Sequence, residues 1–133
     1  MPTDGELAQL HRVLNLYFIL RERAKGGGSL LTYGDGAKRV GVDRAQFCLG
    51  QFSDIQVLAA WIKSRELPAL WILLRSKNTM LPGPGGTIVT RDKLGEAHAA
   101  VAAYSWDCVA PPTIEELAAA RNSLRAAALG TAN

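Results

Sequence analysis

Thr32-Tyr33-Gly34-Asp35-Gly36-Ala37-Lys38-Arg39-Val40-Gly41-Val42-Asp43-Arg44 is the stretch that decides the fold. Thr32 can cap a helix by accepting a hydrogen bond from a first-turn amide, and the Asp35 carboxylate can reach back to the capping residue. Ala37 and Val40 lie three apart on one face, while Lys38 and Arg39 point elsewhere. Gly41 ends the helix at low steric cost. Asp43 then offers a carboxylate to the unpaired amides of a second helix. Helix, glycine turn, helix is the pattern of a helix-turn-helix.

Working outward, the spacing after Asp43 predicts further helix. Ala45, Cys48, Phe52, Ile55, Ala59 and Ile62 recur at three and four residues, with Phe47, Leu58 and Trp61 widening the stripe. Gly50 falls inside and divides a recognition helix over about 43–50 from a helix over about 52–65. Arg44, Gln46 and Gln51 fall outside the main stripe. Pro68 is expected to stop the second of these helices. Leu70-Trp71-Ile72-Leu73-Leu74 reads as a strand, with Trp71 as a core aromatic, and Arg75-Ser76-Lys77-Asn78-Thr79 reads as a polar turn. Met80 to Gly86, with two prolines and three glycines, completes a small wing.

Before this region, Thr3 to about Ala24 reads as one long helix. Thr3 and Glu6 form a capping pair, and Leu7, Leu10, Val13, Leu14, Tyr17, Phe18 and Leu20 form an apolar face. Lys25-Gly26-Gly27-Gly28-Ser29 lacks the flanks of a phosphate loop and reads as a flexible connector. Beyond the wing, Thr87–Thr90 reads as extended. A helix from Arg91 or Asp92 to Tyr104 places Leu94, Ala97, Val101 and Tyr104 on one face. After Pro111-Pro112, Thr113 and Glu116 open a last helix that Gly130 closes. His11 and His98 read as ordinary histidines with no evident partner.

The expected architecture is mainly α with a small β wing: a winged helix-turn-helix with a long N-terminal helix and added C-terminal helices. A chain of 133 residues is expected to form a single domain over 1–133, with a core over about 3–90 and a helical extension over about 91–130. Hydrophobic residues at 48% exclude a disordered chain. A net charge of +3 is compatible with a polyanionic partner but far from a basic tail. No apolar run approaches the roughly 20 residues needed to cross a bilayer, and the start carries no signal-peptide pattern. The expectation is a cytoplasmic protein with no membrane partner. Cys48 and Cys108 sit in no metal-ligand spacing, no Ser-His-Asp or Cys-His set is visible, and no cofactor motif occurs. The chain therefore reads as a non-enzyme without metal or cofactor.

Two stretches carry a family resemblance. Leu31-Thr32-Tyr33-Gly34-Asp35, then Ala37-Lys38 and Gly41, resembles the helix-turn-helix of the alkyltransferase-like DNA-binding module. Glu66-Leu67-Pro68-Ala69-Leu70-Trp71 with Ser76-Lys77-Asn78-Thr79 resembles that module's Leu-Pro strand and turn. Adding Leu81-Pro82-Gly83-Pro84-Gly85 and Tyr104-x-Trp106, the chain looks closer still to a group of bacterial winged-helix proteins. The Pro-Cys-His-Arg active site of the alkyltransferases has no counterpart, since Pro68 is followed by Ala69, Leu70 and Trp71. The resemblance implies a binding scaffold without alkyl transfer.

The leading functional expectation is binding of double-stranded DNA. Arg44 and Gln46 can reach base edges, Lys38 and Arg39 can contact phosphate, and Arg75 and Lys77 can contact the backbone or minor groove from the wing turn. Asp35, Asp43 and Asp54 in the same neighbourhood weigh against it. The alternative is a protein-interaction or assembly module, either a homodimer or a docking site for another protein.

Overall fold

A computed structural model describes residues 3–77 and 93–131. Helix α1 (Asp4–Lys25) leads to strand β1 (Leu31–Thr32), then α2 (Tyr33–Val40), α3 (Arg44–Cys48) and α4 (Asp54–Ser64). Strand β2 (Leu74–Arg75), α5 (Leu94–Ala103) and α6 (Ile114–Thr131) follow. Among the described residues the chain is thus mainly helical, with one two-stranded sheet.

Local chemistry sets these boundaries. Thr32 Oγ1 accepts from the Asp35 amide at 3.2 Å, and Asp43 Oδ1 accepts from the Gln46 amide at 2.8 Å. Gly41 adopts φ 76°, ψ 39°, and the Val42 amide donates to Ala37 O at 3.0 Å. A left-handed glycine with that wrapped amide closes a helix and re-aims the chain within three residues. Thr113 and Glu116 form a full reciprocal box at the start of α6, both bonds 3.1 Å. The expected stop at Pro68 comes earlier. Helix α4 ends at Ser64, and Glu66 takes the left-handed role at φ 55°. In α6, Gly130 lies inside the helix and does not close it.

Helix α1 is the central post. Leu10, Val13, Tyr17, Leu20 and Ala24 recur at three and four residues and are fully buried, together with Leu16. They pack on α4, α6, α5, α2 and the 3-10 turn at Leu70–Leu73. Phe18, expected on this face, points outward and is 39% exposed. Tyr17 meets Trp61 of α4 edge to face, with ring centroids 5.5 Å apart. Trp106 is buried and donates its indole N–H to Val101 O at 2.8 Å, which satisfies the one polar atom of a large apolar group. Tyr104 is half exposed rather than on the buried face of α5, stacked edge-on against Trp106.

The expected strand at Leu70–Leu74 is for the most part a 3-10 turn, and only Leu74–Arg75 is extended. All five residues of the apolar run are buried, Trp71 included. A run apolar on every side suits a tight turn in the core as well as a strand, and periodicity alone does not separate the two. Strand β2 pairs with β1 in parallel, Leu31 opposite Leu74 and Thr32 opposite Arg75. This ladder is a crossover closed over α2–α4, not the antiparallel ribbon of a wing. The return limb of the expected wing, Met80–Gly86, and the extended piece Thr87–Thr90 lie outside the described residues.

Gly36 sets the spacing between α2 and α3. A Cβ placed there meets the Phe47 ring at 2.8 and 3.1 Å and Leu74 Cδ2 at 3.2 Å. Both neighbours are fully buried and have nowhere to move. Alanine would gain about 0.5–1 kcal/mol of helix propensity, but overpacking typically costs about 1–3 kcal/mol. Gly36→Ala is therefore expected to destabilise the fold by about 1–2 kcal/mol, read as a lower urea midpoint at unchanged slope. A raised midpoint would show that α2 and α3 are not in this close contact.

Candidate functional site

Helix α3 is short and presents two distinct sides. Phe47 is fully buried and Cys48 is 9% exposed, so these two define its inner side. Ala45 was expected in the buried stripe but is exposed, and Phe47 takes its place. The cause is Gly50, whose φ of 89° breaks the helix and resets the phase before Ser53 caps α4. At about 100° per residue, the side opposite Phe47 and Cys48 belongs to Ala45, Gln46 and Leu49. Leu49 is the most exposed large apolar residue described, at 59%. Ala45, Gln46, Leu49 and Gln51 line one wall of a groove, faced by Gly5, Ala8 and Arg12 of α1.

The six candidate binding residues do not form one patch. Lys38 and Arg39 are exposed on the last turn of α2, Arg44 is exposed on the first turn of α3, and Gln46 is exposed on the outward side of α3. Arg44 and Gln46 project roughly 200° apart at 100° per residue, so they do not address the same surface. Arg39 lines a second groove with Phe18, Ile19, Glu22 and Arg23, away from that of Gln46. Lys77 is exposed after β2. Arg75 is buried, 6% exposed, and its Nε donates to Ile72 O. Burial holds its pKa below the usual arginine range, with Tyr33 opposing that. Its guanidinium braces the 3-10 turn from within the fold and is turned away from the surface.

The acidic neighbours are largely spoken for. Asp43 is the cap of α3. Asp54 is fully buried at the start of α4, where Arg12 grips it with two bonds, Nε to Oδ2 at 3.0 Å and Nη2 to Oδ1 at 3.2 Å. Gln9 adds a third bond to Oδ1 at 3.2 Å and also donates to Phe52 O. The Gln9 oxygen in turn accepts from Arg121 Nε of α6 at 2.9 Å. Arg121 lies over the Phe52 ring and, with Arg125, faces Glu6 at 3.7 Å. Asp35 remains exposed on the first turn of α2. No sequence pattern ties Gln9, Asp54 and Arg121 together, because they meet only through the packing of α1, α4 and α6.

Desolvation raises the pKa of Asp54, and the Arg12 and Gln9 bonds pull against it without fully offsetting burial. A carboxyl group raised in this way contributes stability below its unfolded pKa and loses it as pH rises through the folded value. The ion pair is thus a specifier of geometry more than a source of net stability.

His98, expected to have no partner, bonds through Nε2 to Gly28 O at 2.7 Å and pins the glycine connector to α5. Gly28 has φ 81°, and a Cβ there would meet that imidazole nitrogen at 2.9 Å. Among the described residues no group of three His, Cys, Asp or Glu side chains can hold a metal ion, and no helix is long and apolar enough to cross a membrane. Comparison with protein families, curated proteins and solved structures finds no match to this chain.

Breaking a buried pair from one side strands the other charge, at about 3–5 kcal/mol. Asp54→Ala is expected to cost about 3 kcal/mol, at the low end because Arg12 keeps some solvent contact. The double replacement Arg12→Met with Asp54→Leu is expected to cost less than Asp54→Ala alone. Equilibrium denaturation of the wild type and the two variants decides this; a double replacement that costs as much as Asp54→Ala, or more, would overturn the assignment.

Proposed function

We propose that the protein is a non-catalytic winged helix-turn-helix protein that binds double-stranded DNA, with α3 entering the major groove. The observation that carries this is the exposed, non-acidic outer side of α3. Gln46 is exposed on the side of α3 opposite Phe47, Gln51 is exposed in the turn that follows, and Lys38, Arg39 and Arg44 flank the Gly41 turn. Of the nearby carboxylates, Asp54 is buried against Arg12, and Asp43 is exposed but accepts from the Gln46 amide as the cap of α3. Amide side chains on a groove-facing helix can hydrogen-bond adenine, and flanking cations neutralise phosphate. Arg44, a large part of a turn away from Gln46, serves as a phosphate contact at the rim and not as a base reader. Arg75 is dropped from the interface, and Lys77 remains as the cation beside the expected wing.

Four phosphate-directed cations, Lys38, Arg39, Arg44 and Lys77, give an expected slope of log affinity against log salt of about −3 to −4. Fluorescence anisotropy with a labelled duplex measures it. Lys38→Ala is expected to reduce the slope by about 1. Absence of binding to any duplex at low salt would reject DNA as the partner. It would leave the groove beside exposed Phe18 and Ile19, where a protein partner would dock.

A further inference from the structure

We draw no further inference here: the strongest candidate, the groove between α1 and α3 whose walls carry Glu6, Arg12, Gln46, Leu49 and Arg121, has both arginines already engaged, Arg12 by Asp54 and Arg121 by Gln9 and Glu6, and nothing in the structure shows what covers it.

Discussion

The grip of Arg12 on Asp54 is the constraint on which the rest of the structure hangs. It joins the middle of α1 to the first turn of α4, with the Asp54 carboxylate fully buried and Arg12 reaching it from the partly exposed side. Gln9 extends the link to the Phe52 carbonyl and to Arg121, so three helices meet at one polar knot. An apolar interface of the same area tolerates small rotations, since dispersion contacts are many and individually weak. A forked guanidinium on a carboxylate does not, because both bonds fail together when the planes tilt. The angle of α4, and of the short α3 that precedes it, is therefore fixed by polar geometry at the far end from the ladder.

That arrangement separates a rigid frame from a small outward element. Helix α3 packs into the frame through Phe47 and Cys48, while Ala45 and Gln46 are exposed along the groove toward α1. The close approach at Gly36 holds it against α2. Side chains for a partner are thus carried on five helical residues whose own register is set by two neighbours, Asp43 at the start and Gly50 at the end.

How much of this was legible follows the range of the interactions. The caps at Thr3, Thr32, Asp43 and Thr113 were readable because donor and acceptor lie three residues apart. The Gly41 turn and the break at Gly50 were readable because only glycine adopts those angles cheaply. On α3 the buried Phe47 and Cys48 were read correctly, and only Ala45 was misplaced, because the stripe was carried through Gly50 as if the phase continued. Arg75 looked like a turn residue since it follows an apolar run and precedes Ser76 and Lys77; its burial depends on the parallel pairing with Thr32, forty-three positions away in the chain. The partners of His98 and Asp54 were invisible for the same reason, each lying at least forty-two residues distant. Of the candidate binding residues, Lys38, Arg39, Arg44, Gln46 and Lys77 are exposed, on more than one surface, and Arg75 is buried.

The parallel ladder between β1 and β2 has a kinetic meaning. Its two rungs join chain positions that are local in space and remote in sequence, with all of α2, α3 and α4 in the intervening loop. Closing so large a loop for two residue pairs returns little enthalpy until the enclosed helices have already condensed. The rungs therefore close late on the folding route, as a clasp on a nucleus assembled elsewhere, and open early in the reverse direction. A clasp of this kind sits between the entry to α2 and the exit from the apolar turn, where a transient opening would loosen α2 while the α1–α4–α6 knot stays tied.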